Sequence, residues 1–314
     1  GGDMPVLAES ADSQPAFAQA RTRAFLKVQD GCHNRCSFCI VSTARGSERS
    51  HPIQQVIDEI NDLHRDGYQE VVLAGVHLGG YGSDTGENLR SLLDAVLKDT
   101  SIPRIRLGSL EPWDFPDGFM ELWDNPRMCP HLHLPLQSGS NTVLRRMVRR
   151  CSVESYENLV HLARAQNPNF QITSDLIVGF PGETDAEFLE TQETLERIGF
   201  GDVHLFSYSV RQGTPAARMK HQLPKQTIRQ RIHALKPTVQ SMKMQFLQSQ
   251  IGRTDNVLWE RDAKDVFIDG VRHLQWTGYT KNYVRPFTTT RPDVALFNQI
   301  TPVEITDISD DGLI

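Results

Sequence analysis

The sequence has few cysteines and no long hydrophobic segment. Only 5 of its 314 residues are cysteine, and an odd number of thiols argues against a disulfide framework. No window approaches the ~18 consecutive apolar residues that span a bilayer, and no signal peptide opens the sequence. We therefore expect a cytoplasmic protein without a membrane segment.

Acidic residues are absent from one long segment. The whole chain has 33 Lys+Arg against 39 Asp+Glu, a net charge of −6 that alone argues against a nucleic-acid partner. Between Val203 and Thr254, however, no Asp or Glu occurs, whereas basic residues are frequent. They are Arg211, Arg218, Lys220, Lys225, Arg229, Arg231, Lys236, Lys243 and Arg253. Such a basic segment allows polyanion binding, although a solvated helix face explains the same pattern.

Strand-like and helix-like segments alternate from residue 24 onward. The expected strands are 24–29, 69–75, 103–109, 131–137, 170–180 and 202–210. The expected helices are 51–67, 88–98, 118–124, 141–149, 153–165 and 186–199. This alternation predicts parallel strands joined by crossover helices, hence an α/β barrel or a large part of one.

The sequence pattern changes after the alternating region. An apolar stripe predicts a long helix over 224–250 packed on the barrel, which Pro237 should kink or divide. After Ile251, short β-rich segments predict a small all-β barrel. We therefore expect a linker or tail over 1–22, an α/β barrel over 23–235, and a β-barrel with its lead-in helix over 236–314.

Three of the five cysteines fall within eight residues. Cys32, Cys36 and Cys39 lie in the loop after the first strand, where α/β barrels build their active sites. Three thiolates can hold three corners of a cubane iron–sulfur cluster and leave one iron open. The main alternative is a zinc site with His33 or a distant cysteine as fourth ligand. Because His33 is adjacent to Cys32 and no second CxxC pair exists, we favour the cluster.

This CxxxCxxC motif, with Phe38 before the last cysteine, resembles the radical S-adenosylmethionine superfamily. The resemblance implies a 4Fe–4S cluster ligated by Cys32, Cys36 and Cys39, with S-adenosylmethionine bound at the open iron. It also implies one-electron cleavage of that cofactor to a 5′-deoxyadenosyl radical.

Five longer segments are similar to the methylthiotransferase family within that superfamily. They are LAGVHLGGYG (73–82), RIRLGSLEP (104–112), CPHLHLPLQSGSNTVLRRM (129–147), ITSDLIVGFPGETDAEF (172–188) and FSYSVRQGTPAARM (206–219). The GVHLGGYG segment resembles the branch that adds a 2-methylthio group to N6-threonylcarbamoyladenosine beside the tRNA anticodon. Alternatives are methylthiolation of N6-isopentenyladenosine in tRNA or of an aspartate in a ribosomal protein, and a non-catalytic RNA-binding module.

Polar residues and glycines at strand ends are the expected cofactor contacts, alongside the aromatic Phe38. Gly75 lets the backbone approach the cofactor, and Asp175 lies in a hydrophobic strand, where a carboxylate needs a partner or ligand. The full expected set is Phe38, Gly75, Ser109, Glu111, Gln137 and Asp175. Glu183 and Thr184 have a structural role in our interpretation, with Thr184 or Asp185 capping a helix. No side chain is assigned as catalytic.

The C-terminal β region resembles the TRAM domain, a small OB-like RNA-binding barrel. Aromatic and basic residues there, together with basic residues elsewhere, suit base stacking and phosphate contact. The expected RNA contacts are Arg145, Arg149, Lys225, Arg229, Tyr279 and Lys281. The resemblance implies tRNA and a reductant protein, such as a flavodoxin or ferredoxin, as partners.

The sequence departs from the family at its beginning. Family members have an upstream domain whose three cysteines hold an auxiliary 4Fe–4S cluster implicated in sulfur delivery, whereas no cysteine precedes Cys32 here. We therefore expect a shortened chain or a natural short form that lacks this N-terminal domain. The chain should cleave the cofactor but not insert sulfur unaided, and the auxiliary cluster is expected only in a full-length form.

Overall fold

A computed structural model describes residues 22–309 and 312–313. The larger part of the molecule is built around six parallel strands. The expected tail at residues 1–22 lies outside the described residues except for Thr22. The parallel strands are β1 (Ala24–Asp30), β3 (Glu70–Gly75), β4 (Arg104–Leu107), β5 (His131–His133), β6 (Gln171–Val178) and β7 (Asp202–Ser207). A short strand, β2 (Arg49–Ser50), pairs antiparallel with β1.

The parallel strands follow chain order around a partial barrel. Hydrogen bonds join β1, β3 and β4 in one sheet and β5, β6 and β7 in a second. Backbone bridges from Ser109 to His133 and from Ile105 to Met128 connect the two sheets. The expected α/β barrel of six strands is therefore confirmed.

Helices cover the outside of this barrel. They are α1 (Val41–Arg45), α2 (Ile53–Arg65), α3 (Leu89–Asp99), α4 (Asn141–Arg146), α5 (Val153–Gln166), α6 (Asp185–Ile198) and α7 (Lys225–Gln248). A 3-10 helix replaces the expected helix at 118–124 and spans Phe119–Asp124. The main core lies between these helices and the strands, and includes Leu26, Ile60 and Ile172.

Several expected elements are shorter in the structure, and two of them give way to loops at the mouth of the barrel. The strand expected over 131–137 ends at His133, since Pro135 cannot donate to a ladder and Gln137 has a left-handed φ of 74°. The helix expected over 141–149 ends at Arg146, and Val148 has a φ of 59°. These departures turn polar groups towards the cysteine loop.

Helix α7 is one continuous element of 24 residues with Pro237 inside it. Of the two expected effects of Pro237, a kink or a division, the division does not occur. Pro237 lies on the exposed side of the helix, where water can satisfy the carbonyl group that loses its partner. The apolar stripe packs on the barrel core as expected, through Leu235 and Met242. The helix also crosses residues 235 and 236, where we expected a domain boundary.

The C-terminal region is an antiparallel β domain. Its main strands are β8 (Thr254–Trp259), β9 (Lys264–Ile268), β10 (Val271–Thr280), β11 (Phe287–Thr290) and β12 (Ile300–Glu304). The order is β11-β10-β8-β12, with β9 also paired to β10. A short hairpin of β13 (Ile308–Ser309) and β14 (Gly312–Leu313) follows. Trp259 and Trp276 lie in its core.

Buried arginines of the barrel hold the β domain in place. Arg104 donates to the carbonyl oxygens of Tyr279 and Asn256 at 2.9 and 2.6 Å. Arg106 donates to the Lys281 carbonyl oxygen at 2.9 Å and pairs with Glu70 at 2.7 Å. The β domain therefore closes the amino end of the barrel, which we call the floor. The opposite end, formed by the loops after the carboxyl ends of the strands, is called the mouth. No helix among residues 22–309 has the length and apolar character needed to cross a membrane.

Candidate metal centre and cofactor site

The cysteine loop lies at the mouth and is fixed by backbone hydrogen bonds. Ser37 donates its amide to the Met147 carbonyl oxygen at 2.9 Å, and its own carbonyl accepts from the Ala216 amide at 2.8 Å. Cys36 is buried, whereas Cys32 and Cys39 are half-buried. The loop is thus pinned to the end of α4 and to the segment after β7, with its thiols facing the mouth.

The sulfur atoms of this loop are prepared for thiolate ligation. The amide of Asn34 donates to the Cys32 sulfur and that of Val41 to the Cys39 sulfur, both at 3.4 Å. Hydrogen bonds of this kind stabilise and tune cluster-bound sulfur. Burial raises the pKa of the Cys32 and Cys36 thiols, so iron binding must displace their protons.

The three thiols are too widely spaced to ligate one ion together. Within the described part of the chain, they do not form a group whose ligand atoms all lie within 4.8 Å of one another. Zinc, with Zn–S bonds of ~2.3 Å, would bring sulfur ligands to within about 4 Å. This spacing argues against one zinc ion shared by all three thiols, and Cys32, Cys36 and Cys39 are the residues that would hold a 4Fe–4S cluster.

A buried network of charges supports the loop beside Cys32. The His77 imidazole lies between two carboxylates, with Nδ1 2.7 Å from Glu48 and Nε2 3.0 Å from Asp114. Burial lowers the pKa of His77, but hydrogen bonds and charge from Asp114 and Glu48 outweigh it and raise the pKa to about 9. The Glu48 carboxylate also accepts from the His33 amide at 3.1 Å. His77 therefore connects the cysteine loop to the loops after β3 and β4.

Glycines make this network possible. A Cβ at Gly79 would overlap the Asp114 carboxylate, and one at Gly80 would lie 2.6 Å from His77 Nδ1. A Cβ at Gly75 would lie 2.9 Å from Gln29 Oε1, so close packing against Gln29 accounts for Gly75 in addition to its expected cofactor contact. The glycine-rich segment after β3 thus lets backbone pack directly on buried polar side chains.

Arg149 lies inside the mouth rather than on the surface. Its guanidinium donates to Glu111 at 2.6 Å, and Nη1 is 3.9 Å from the Cys36 sulfur. The residue is 8% exposed, and its guanidinium also lies over the Trp113 ring. Because of this burial Arg149 does not face solvent, where an RNA phosphate would be met.

Asp175 has the partners that its place in a hydrophobic strand required. His133 Nε2 lies 3.3 Å from one carboxylate oxygen, and His204 Nδ1 lies 3.0 Å from the other. Burial raises the pKa of Asp175, but these hydrogen bonds and charges outweigh it, so the pKa is lowered. An ionised carboxylate is thus held towards the barrel cavity, where it can accept hydrogen bonds from hydroxyl groups.

The other expected cofactor contacts surround the same mouth. Ser109 is exposed at the end of β4, and Gln137 holds its left-handed φ through backbone bonds to Asp175 and Ile177. Such strain in a residue other than glycine is common at functional sites. Phe38 packs against a small apolar cluster that contains Met147. Glu183 and Thr184 have the expected structural roles: Glu183 pairs with Arg231 at 2.6 Å, and Thr184 caps α6.

The expected RNA contacts other than Arg149 fall into two separate groups. Arg145, Lys225 and Arg229 are exposed, and none forms an ion pair with a described residue. Tyr279 and Lys281, in contrast, lie at the floor. Tyr279 stacks on Tyr283 at 4.9 Å, and Lys281 donates to the Pro126 carbonyl oxygen at 2.7 Å.

A cavity of about 790 Å³ lies in the barrel above the floor. Arg23 and Gln171 line it at the amino ends of the strands, and Asp175 and His204 line it from the middle of β6 and β7, together with Ser109 just after β4. The volume is large enough for a nucleoside-sized molecule.

Comparison with known proteins identifies the superfamily. A model of the radical SAM superfamily matches residues 26–195. The chain belongs to the radical SAM superfamily. A 4Fe–4S cluster and S-adenosylmethionine are therefore its cofactors, and together they supply reductive one-electron cleavage of S-adenosylmethionine when bound.

Curated relatives narrow the similarity to tRNA methylthiotransferases. The chain is 39% identical over 267 residues to threonylcarbamoyladenosine tRNA methylthiotransferase MtaB of Thermotoga maritima, covering 84% of this chain and 60% of the relative. MtaB of Bacillus subtilis is 39% identical over 274 residues, covering 86% and 60%. A tRNA-2-methylthio-N(6)-dimethylallyladenosine synthase of Staphylococcus saprophyticus is 37% identical, covering 82% and 52%. The chain thus spans at most about 60% of the length of these relatives.

Solved structures agree on the fold. Coproporphyrinogen III oxidase (HemN) of Escherichia coli superposes with a TM-score of 0.52 at 14% identity, covering 86% of this chain and 70% of that protein. The radical S-adenosylmethionine methyltransferase TsrM of Kitasatospora setae gives 0.53 at 18% identity, covering 62% and 38%. At these identities the comparison shows the shared barrel alone.

Sequence reasoning missed the side chains that support the site. Glu48, His77 and Asp114 lie far apart in the sequence, and their network depends on three separate loops. A signal did exist for His77 and His133, since each is a polar residue inside a glycine-rich or hydrophobic segment. Their partners could not be read from spacing.

Proposed function

We propose that the chain is the cofactor-binding part of a radical SAM transferase that adds a 2-methylthio group to N6-threonylcarbamoyladenosine beside the tRNA anticodon. One geometric observation carries the RNA part of the proposal: exposed cations without acidic partners surround the same mouth that holds the cysteine loop. The amide of Ala216 binds the carbonyl oxygen of Ser37, which places the segment with Arg211 and Arg218 directly against that loop. A polyanion bound there would bring a base to the mouth.

The choice of substrate rests on similarity. Two relatives that share 39% identity carry the threonylcarbamoyladenosine name, whereas the dimethylallyladenosine relative shares 37%. This small difference makes methylthiolation of N6-isopentenyladenosine the alternative with the most support. An aspartate of a ribosomal protein and a non-catalytic RNA-binding role have no comparable support.

The remaining assignments belong to the same proposal. Phe38, Gly75, Ser109, Glu111, Gln137 and Asp175 are the proposed contacts of S-adenosylmethionine. Arg145, Lys225 and Arg229 are the proposed phosphate contacts. We keep the TRAM-like nature of the C-terminal β domain, a cytoplasmic location, a flavodoxin or ferredoxin as reductant, and an auxiliary 4Fe–4S cluster in a longer form as parts of this proposal.

The substrate can be tested in cells. A strain that lacks the gene would be complemented with the full gene, and its tRNA nucleosides compared by mass spectrometry. The proposal expects 2-methylthio-N6-threonylcarbamoyladenosine to reappear, and a Cys36→Ala gene to leave it absent. Restoration of the isopentenyl derivative instead would replace the proposed substrate while keeping the chemistry.

A further inference from the structure

Three polar side chains line the floor of the barrel cavity. Arg23 precedes β1, His131 begins β5 and Gln171 begins β6, and all three line the cavity at the amino ends of the strands. Ser109 and Asp175 line it nearer the mouth. From Gln171 to Asp175 the strand rises about 13 Å. A purine at the level of Asp175 would therefore extend its substituent towards the floor.

Three polar atoms at this floor have no hydrogen-bond partner among the described residues. They are Nη1 of Arg23, Nδ1 of His131 and Oε1 of Gln171. His131 and Gln171 are each 6% exposed. An unpaired buried polar atom costs roughly 1–3 kcal/mol, and most folded proteins avoid it. These three atoms belong to side chains that line one cavity, where a polar ligand would supply the missing partners.

These side chains are held rigidly in place. The Arg23 guanidinium lies over the Tyr279 ring, 4.2 Å from its centroid. The His131 ring stacks on Tyr283 at 4.6 Å, and its Nε2 lies 3.2 Å from the Thr173 hydroxyl. A fixed array loses little entropy when a ligand binds. The aromatic residues of the β domain therefore support the floor of the cavity.

The charge of the lining favours an anionic group. Four cationic side chains line the cavity, against two carboxylates. They are Arg23, Arg106, Lys243 and Arg285, against Asp175 and Asp202. Three of these cations already have acidic partners: Lys243 pairs with Asp202 at 2.8 Å, Arg106 with Glu70 at 2.7 Å and Arg285 with Glu260 at 3.1 Å. Arg23 forms no ion pair within the described part of the chain, so its charge remains available.

We propose that the floor recognises the N6 substituent of the target adenosine, with Arg23 pairing with its carboxylate and His131 and Gln171 bonding its other polar atoms. The inference rests on the proposed function and adds the residues that select the substrate. A threonylcarbamoyl group carries a carboxylate, a hydroxyl and a urea. An isopentenyl group carries no polar atom and would leave all three floor atoms unpaired, which is how a polar site rejects an apolar analogue.

Binding of synthetic anticodon stem-loops tests this inference on the whole chain, with its cluster reconstituted and S-adenosylmethionine present. One stem-loop carries N6-threonylcarbamoyladenosine, a second carries its neutral carboxamide analogue, and a third carries N6-isopentenyladenosine. Fluorescence anisotropy gives the dissociation constants. We expect the acid to bind roughly ten-fold or more tightly than the carboxamide, as one charged hydrogen bond implies.

Variants of floor residues test whether the preference for the acid over the carboxamide arises at the floor. Arg23→Gln should bring the acid and the carboxamide to equal affinity, and Arg23→Lys should keep part of the preference. Arg272→Gln removes an exposed cation of the β9–β10 hairpin and should leave the preference unchanged. If Arg23→Gln does not fold, Gln171→Glu adds a negative charge at the floor and should weaken binding of the acid selectively.

The results distinguish a failure of the floor assignment from a failure of the proposed function. Equal binding of acid and carboxamide by the wild type, a preference that survives in Arg23→Gln, or tighter binding of the isopentenyl stem-loop would overturn the inference. Formation of 5′-deoxyadenosine is measured in parallel samples of the same proteins to which dithionite is added as the electron donor. If it persists while the preference is absent, only the floor assignment fails; if it is absent in the wild type, the proposed function fails.

Discussion

The mouth and the floor of the barrel both collect charged side chains, but they hold them by different means. At the mouth, Glu48, His77 and Asp114 are bound within loops that follow the carboxyl ends of the strands. At the floor, Arg104 and Arg106 reach carbonyl groups of the β domain more than 150 residues away in sequence. The charged side chains of the mouth are therefore held by neighbouring loops of the barrel. Those of the floor are held by contacts between the barrel and the β domain.

The largest expected effect concerns the thiols of the mouth. Cys36→Ala should remove the cluster, because two thiolates do not hold a 4Fe–4S unit stably. Iron and sulfide analysis of anaerobically reconstituted protein should give about four irons for the wild type and almost none for the variant. Cys129→Ala is the control, since Cys129 is buried outside the mouth. Equal iron in Cys36→Ala and wild type would contradict the ligand assignment.

The next effect concerns the floor. Arg106→Met should lower the free energy of unfolding by about 3–5 kcal/mol, because it leaves the buried Glu70 carboxylate without its main partner. Chemical denaturation measures the change. Arg90→Met breaks an exposed pair with Asp94 and should cost at most about 1 kcal/mol. Similar losses in the two variants would show that the floor is no more dependent on its buried pair than the surface is.

A pH effect should separate the two regions. The raised pKa of His77 means that its pairing stabilises the fold fully below the ordinary value of 6.5 and is lost as the pH rises through about 9. Wild type should therefore be more stable than His77→Gln at pH 6, by about 3 kcal/mol, and this difference should shrink towards pH 9.5. Denaturation at several pH values tests this. A difference that stays constant with pH would mean that His77 is not charged in the folded state.

The smallest expected effect distinguishes the cations of the two regions. Lys225→Ala and Arg229→Ala should each reduce the slope of log affinity for tRNA against log salt by about 1, because each removes one phosphate contact. Lys281→Ala should leave the slope unchanged, since Lys281 lies at the floor and bonds Pro126. Salt titrations of tRNA binding measure these slopes. If Lys281→Ala reduced the salt slope more than Lys225→Ala did, the RNA-binding surface would lie at the floor instead.

The same comparison explains what could be predicted from the sequence. The cysteine loop and the strand–helix alternation are local patterns, so residue spacing predicted the cluster ligands and the barrel. The sequence showed that Asp175 needs a partner, because it is a carboxylate in an apolar strand. It did not show that the partners are His133 and His204, because this depends on how β5, β6 and β7 are aligned.

The floor could not be predicted because its contacts depend on long-range docking. Tyr279 and Lys281 have the composition of an RNA-binding surface, yet they pack against the barrel. Arg149 is an expected RNA contact from the sequence, yet burial and its pair with Glu111 place it next to Cys36. Charge composition shows which residues are basic, whereas only the fold shows which of them face solvent.

The most direct test of the account is cofactor cleavage at the mouth. The anaerobically reconstituted chain would be incubated with S-adenosylmethionine and dithionite, and 5′-deoxyadenosine quantified by liquid chromatography. The account predicts that the wild type and Cys129→Ala form this product and that Cys36→Ala does not. A wild-type protein that holds about four irons yet forms no 5′-deoxyadenosine would contradict it.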